Sequence, residues 1–324
     1  MTKNLAKLKT ALEPGSHGRT AAVKKAKKVL YGLFFAMLFC GIGYVLVYPL
    51  IYIFTTAVKS AADMLDTTTV WIAKRPTWTN FPDAWGYIDY PSALMNTLKV
   101  ALGVTAANMF ICSAVGYGFA RFRFRERGVL FALVVFTLIV PPQVITLPQY
   151  LSFQRFDILG IFTLLSGGTL KLTDSPMAIL MPALFGQGLK SGLFIYIFRQ
   201  FYRGMPVELE EAGYIDGCGT VRTYLRIMLP NAAPGFITVG LLSFVWHWND
   251  VFGQSQYLDN MPTLSMKLVG IVGFITKSSV VTDISYVTPT KYAGVALVIL
   301  PLLVIYLVGQ RFFVQSVERS GIVG

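Results

Sequence analysis

The sequence predicts an all-α protein, a polytopic membrane bundle of six transmembrane helices. Three observations predict it. Hydrophobic residues make up 54% of the 324 positions and charged residues 14%, against about 25% charge in an ordinary soluble domain. So few charges cannot cover a water-exposed globule of this size, and lipid takes the place of water over much of the surface. Six apolar runs also meet or approach the ~20 residues a helix needs to cross a bilayer core. Finally, lysine and arginine gather in alternate connections, the pattern that orients a multi-pass chain.

The runs are, in order, Val29–Val58, Ala93–Phe119, Gly128–Phe153, Met177–Phe201, Ala233–Phe252 and Tyr292–Phe313. The tail before the first run, the connections after the second and fourth and the C-terminal tail, counted with Arg199 and Arg311 at the adjoining run ends, hold 18 of the 28 Lys and Arg. An even number of spans puts both termini on one side, and the basic excess makes that side cytoplasmic. The net charge of +12 thereby finds an explanation in orientation and contact with anionic lipid, and a nucleic-acid role is set aside. Residues 1–28 read as a mobile, polar cytoplasmic tail, 29–315 as one membrane domain and 316–324 as a cytoplasmic C-terminal tail. No cleavable signal peptide is evident, because the first apolar run is too long for one. Cys40, Cys112 and Cys218 have no metal or disulfide spacing and read as unpaired thiols.

Within the spans, small residues at Gly103, Ala106, Ala107, Ala114, Gly116 and Gly118 predict close helix approach in span two. Pro141, Pro142 and Pro148 predict a kinked span three. Span four is irregular, with Pro182, Gly186, Gln187, Gly188, Lys190 and Ser191. An intramembrane lysine is costly, so Lys190 either lines a watery vestibule, or snorkels, or marks a span that begins after Ser191. At the end of span five, Trp246 and Trp248 read as an interfacial belt. His247, Asn249 and Asp250 are candidates for contact with a polar solute, with capping or bracing the alternative for Asp250.

The connection 203–230 carries the most information. Pro206 suits a first helical turn, Glu208, Glu210 and Glu211 complement the positive end of the helix dipole, and Asp216-Gly217 supplies the stop. A second short helix is expected from Thr220 to Met228, ending by Pro230. Leu209, Ala212, Gly213 and Asp216 share one face by their 3–4 spacing, and the small residues leave it shallow enough to dock into a partner's groove.

Glu211-Ala212-Gly213, then Asp216-Gly217, then Ile227-x-Leu229-Pro230 resembles the EAA loop of ABC importer permeases, with Gly213 where that family usually has alanine. Asn96-Thr97-Leu98, Trp248-Asn249-Asp250, Gln310-Arg311-Phe312-Phe313 and the closing Gly321-Ile322-Val323-Gly324 resemble the carbohydrate branch, of the maltose-transporter type. The stretch from Leu164 to Gly188 is longer than usual for that branch. The resemblance implies a type I ABC importer permease fold in the plasma membrane of a prokaryote. It implies a heterodimer with a second permease, a dimer of ATPase subunits that hold ATP and Mg, and an extracytoplasmic solute-binding protein that delivers a sugar. Glu208, Glu211, Ala212, Gly213, Asp216, Gly217, Leu229 and Pro230 would then belong to a coupling helix and its flank, with Glu211 meeting a basic group on the ATPase.

This chain is expected to carry no cofactor, metal or catalytic group of its own. Gly188-Leu189-Lys190-Ser191 lacks the spacing of a phosphate loop, and His17 and His247 are far apart. An alternative keeps the ABC machinery but changes the solute to a peptide, polyamine or anion, which the EAA loop does not distinguish, and two other classes compete. An ion-coupled secondary transporter would predict intramembrane acidic residues and repeat symmetry; Asp250 is a weak instance of the former and no repeat is visible. An intramembrane enzyme would need paired catalytic groups, and none appear.

Overall fold

A computed structural model describes residues 16–279 and 283–321, and side chains within 27–165, 167–277 and 283–310. The motif residues Arg311-Phe312-Phe313 lie beyond the described side chains, and the tail 1–15 and the closing residues 322–324 lie outside the described residues altogether. Every regular element among the described residues is helical; Phe156 and Leu170 form an isolated antiparallel bridge.

Among the described residues, three helices are long and apolar enough to cross a membrane: α1 (Ser16–Ala57), α4 (Tyr90–Arg121) and α15 (Ile284–Gly321). They contain expected spans one, two and six. From Ser16 the polar stretch ahead of span one is already helical and runs straight into it. Short helices α2 (Ala61–Leu65) and α3 (Asn80–Tyr87) lie between α1 and α4. Lys59 folds this connection back on itself, its Nζ donating to the carbonyls of Thr69 (2.8 Å) and Val70 (3.0 Å).

Expected spans three and four are not single helices. The third is α5 (Arg127–Phe136) and α6 (Pro142–Gln154). Pro141 and Pro142 have no N–H to continue the helical ladder, and Pro141 is extended (ψ 131°), so the chain breaks where two donors are missing in succession. After α7 (Ile161–Ser166), the fourth is α8 (Met177–Leu184) and α9 (Ser191–Gly204). Gly186 and Lys190 stand at φ +69° and +63° between them, left-handed positions that end one helix before the next begins. The 203–230 connection forms α10 (Glu208–Ile215) and α11 (Thr220–Asn231). It leads through a 75° bend into α12 (Ala233–Asn249), the fifth expected span. Helices α13 (Val251–Tyr257) and α14 (Leu264–Ser279) precede α15.

Helix α4 is the axis of the bundle. At one end Tyr90, Ala93 and Ala101 join Trp248, Leu264, Ile271 and Ala293 in one core; at the other Cys112 and Tyr117 join Phe194, Phe198, Tyr202 and Met228 in a second. Trp248 is fully buried in the first core, which corrects its reading as an interfacial residue; it stands at the far end of α12 from the bend and faces inward. Of the small residues expected to permit close approach, Gly116 does so: a Cβ there would lie 2.7 Å from Phe198 Cβ. Ala106 and Ala114 are exposed.

Between the cores, Asn108 joins three helices. Its Nδ2 donates to Ser243 Oγ (3.1 Å) and its Oδ1 accepts from Ser191 Oγ (3.0 Å). Buried polar groups in a membrane interior must find partners within the protein, and this one finds them on α9 and α12. Helix α1 is exposed along most of its described length, the surface expected to face lipid.

Candidate functional site

The 208–231 segment is a helical hairpin at the end of the bundle where the arginines gather. Arg121 lies against it, and Arg127, Arg199 and Arg203 stand close to one another. Helix α10 starts with Glu208, Glu210 and Glu211 in its first turn and stops as the sequence predicts. The Gly217 N–H reaches Tyr214 O (3.1 Å), the Cys218 N–H reaches Gly213 O (2.9 Å), and Gly217 is left-handed at φ +76°. This is the Schellman closure, which glycine forms without strain. Gly217→Val is expected to destabilise the hairpin by about 1–2 kcal/mol, the cost of a left-handed L-residue. Amide hydrogen exchange at Cys218 should accelerate accordingly, and unchanged exchange there would contradict this account of the turn.

Helix α11 does not stop before Pro230. Residues Tyr224–Met228 open into a wider π turn, in which the Leu229 N–H bonds Tyr224 O. Lengthening the loop by one residue lets the helix pass a proline that has no N–H to give. The chain continues to Asn231, whose side chain donates to Ile227 O (2.7 Å). Leu229 is half-buried and Pro230 exposed at the bend.

The small face of α10 is turned inward in part. Gly213 is buried, and a Cβ on it would meet Ile227 Cδ1 at 2.7 Å and Thr223 Oγ1 at 3.3 Å. Gly213 therefore lets α10 lie on α11, an internal role in place of the outward docking face the spacing suggested. Glu210 is buried too, its Oε1 3.5 Å from Arg121 Nε. The outward surface consists of Glu208, Glu211, Ala212, Asp216 and Gly217, with exposed apolar side chains at Val207, Ile215 and Val221. Ile215 is 85% exposed. It was not singled out from the sequence, although an isoleucine in a polar connection just before a helix stop is the available signal.

The four candidate solute residues do not form one cluster. Lys190 is exposed in the left-handed position ahead of α9, and its carbonyl accepts from the N–H of Leu193 and Phe194 (3.0 and 3.2 Å). His247 is fully buried, with Nδ1 2.7 Å from Ser243 O. Asn249 turns back to donate to Val245 O (2.9 Å). Asp250 caps α13, its Oδ1 accepting from the Gly253 N–H (2.9 Å). The arrangement gives Asp250 the capping role that was the alternative from sequence.

A cleft of about 570 Å³ lies instead between α6, residues 171–174 and α13. Gln143, Thr146 and Tyr150 line one wall, and Phe252, Gln256 and Tyr257 another. Gln154 donates to the Tyr150 hydroxyl (2.6 Å), fixing that ring. Asp174 pins the third wall, its N–H donating to Tyr257 O (2.7 Å) and its Oδ1 accepting from the Asp259 N–H (3.0 Å). Lys171, 3.0 Å away, and the N–H groups of Asn260 and Asp259 hold the Asp174 carboxyl below the usual carboxylate range. Amides, hydroxyls and ring faces share the lining with Lys171, Asp174 and Asp259, a polar cleft that suits a ligand bearing hydroxyls. The sequence carried a hint: positions 143, 146 and 150 place polar or amphipathic groups on one helical face of an apolar run.

Residues 99–319 match the binding-protein-dependent transport system inner membrane component family. An arabinooligosaccharides transport system permease protein of Bacillus subtilis is 27% identical over 229 residues, 71% of this chain and 72% of its own length. The sn-glycerol-3-phosphate transport system permease protein of Pectobacterium atrosepticum is 27% identical over 290 residues, 88% and 94% of the two chains. Among solved structures, a bacterial ABC transporter involved in the import of the acidic polysaccharide alginate superposes with a TM-score of 0.70 at 18% identity, covering 89% of this chain and 98% of that one; this similarity bears on the fold. With most of its length matched, the chain belongs to the family of binding-protein-dependent transport system inner membrane components.

Proposed function

We propose that this chain is the permease subunit of an ATP-driven importer of a sugar or oligosaccharide, and that the α10–α11 hairpin couples it to an ATPase. Family membership makes it a membrane transport subunit rather than an enzyme. The observation that carries the coupling reading is the outward face of the hairpin. Apolar Val207, Ile215 and Val221 stand exposed beside Glu208 and Glu211, an apolar centre with a charged rim such as protein interfaces use. In this reading the hairpin end is cytoplasmic and both termini lie on that side. ATP and Mg sit on a dimer of ATPase subunits, a second permease completes the path, and an extracytoplasmic binding protein delivers the solute. Closure of the ATPases pushes the hairpin, and the bundle passes from inward-open to outward-open.

The sugar assignment rests on the cleft together with relatives such as the arabinooligosaccharide permease. Amides donate to and accept from hydroxyls, and aromatic faces pack on sugar C–H surfaces. The test is oligosaccharide uptake into proteoliposomes holding the assembled transporter with ATP inside. Tyr150→Ala and Gln143→Ala are each expected to raise the KM for uptake by about tenfold, the loss of one well-placed polar or stacking contact. ATP hydrolysis without solute should be unaltered. Wild-type uptake by both variants would remove the cleft from the solute path, and glycerol-3-phosphate uptake in place of sugar uptake would change the solute class.

A further inference from the structure

We propose that Arg121 is a positioning residue for transport, locking the hairpin to α4 so that α4 carries hairpin movement to the wall of the solute cleft. The inference rests on the coupling function just proposed. Arg121 is the last residue of α4, and its side chain is 10% exposed. Its Nη2 donates to Met205 O (2.7 Å), just ahead of the hairpin, and its Nε lies 3.5 Å from Glu210 Oε1. One guanidinium therefore holds both the entry to α10 and a carboxylate within α10. Its rigid fork suits this in a way lysine does not.

A second tie lies about two turns back along α4. Ser113 Oγ is 2.7 Å from the Tyr202 hydroxyl and 3.0 Å from the Tyr224 hydroxyl. The Tyr117 ring packs on Tyr224 at 4.9 Å. Tyr224 opens the π turn of α11, so both arms of the hairpin are fastened to the same helix. At the far end of α4, Asn96 Nδ2 donates to Pro262 O (3.2 Å) and Thr97 Oγ1 accepts from the Leu264 N–H (2.9 Å). Residue Thr263 between them donates to Gln254 Oε1 (2.6 Å) on α13, and α13 lines the cleft. The route from hairpin to cleft is thus one unbroken helix gripped at both ends. A stiff element with two anchored ends transmits displacement; breaking an anchor lets the hairpin move alone.

The experiment uses the whole transporter in proteoliposomes, with Arg121→Gln, Glu210→Gln and the double variant. Each single variant is expected to cut ATP-driven solute uptake by about tenfold or more, while assembly and ATP hydrolysis stay within about twofold, because coupling and docking are separate free energies. The double variant should be no worse than the more severe single one, the signature of two residues acting as one unit. Hydrogen exchange over Glu208–Asn231 should rise in all three. Wild-type uptake by Arg121→Gln, or effects that multiply in the double variant, would overturn the proposal. Loss of assembly would do so as well, reassigning the pair to folding. Failure of the coupling reading itself looks different: hairpin-surface variants would then transport normally, while exchange in the hairpin still rose on loss of Arg121.

Discussion

Ile215→Asp is expected to abolish transport while leaving the chain folded and inserted. Ile215 is 85% exposed at the tip of α10, so the substitution removes almost no internal packing. Surface changes away from special features alter stability by only about 0.5 kcal/mol either way. Its cost falls on the interface. An apolar side chain at the centre of a docking patch becomes buried on association, and a central contact of this kind carries 2 kcal/mol or more. A carboxylate there adds the penalty of a buried unpaired charge. Uptake should fall by about two orders of magnitude or more, consistent with a loss near 3 kcal/mol or greater. Val221→Asp on the second arm should behave alike, whereas Tyr214→Phe should not matter. The readout is solute uptake together with retention of the ATPase on purification in mild detergent. Full uptake with the ATPase retained would remove the patch from the interface.

Gly116→Leu is the second large effect, and its mechanism lies in the core. A Cβ at Gly116 would sit 2.7 Å from Phe198 Cβ, 3.0 Å from Arg199 N and 3.1 Å from Ile195 O. Two of these three atoms belong to the backbone of α9, so no rotamer change relieves the clash. Helices α4 and α9 must separate, which would strain the Asn108–Ser191 and Ser113–Tyr202 hydrogen bonds that join them. Overpacking a tight contact costs about 1–3 kcal/mol and sometimes more, and hydrogen bonds lost with it raise the total. Gly116→Ala should lower the apparent Tm of the detergent-solubilised protein, and Gly116→Leu should prevent recovery of a monodisperse species. Gly103 on the same helix is the control. Nothing lies within 4 Å of a Cβ there, so Gly103→Ala should be neutral or slightly stabilising, as alanine is the better helix former. Equal damage at both positions would contradict the packing account.

Much of the architecture was legible because membrane helices declare themselves by composition. Spans one, two and six are long apolar runs with few charges, and each emerges as a helix. The hairpin was legible for a different reason: Pro206, the run of glutamates and Gly217 act locally, and local capping chemistry is written in adjacent residues. Hydropathy could not resolve the broken helices. Pro141-Pro142 and Gly186 signalled irregularity, but the left-handed turn at Lys190 depends on how α8 and α9 pack on α4.

Tertiary placement was the least legible. Trp248 looks the same in sequence whether it faces an interface or a core, and so does Gly213 whether it faces a partner or α11. The Arg121–Glu210 pair is separated by 89 positions, and nothing in the spacing announces it. Among the candidate solute residues, Asp250 proved to be a helix cap. The cleft is built from α6, α13 and the 171–174 connection, segments that only the fold brings together.

The central claim is that the exposed face of the hairpin meets an ATPase. The most direct measurement places a photo-reactive phenylalanine analogue at position 215 in the full-length chain, in native membranes, and identifies the adduct by mass. The account predicts a single adduct with a nucleotide-binding subunit, formed at position 215 and absent when the probe stands at lipid-facing Met37. No such adduct from position 215, nor from Val207 or Val221 beside it, would contradict the account.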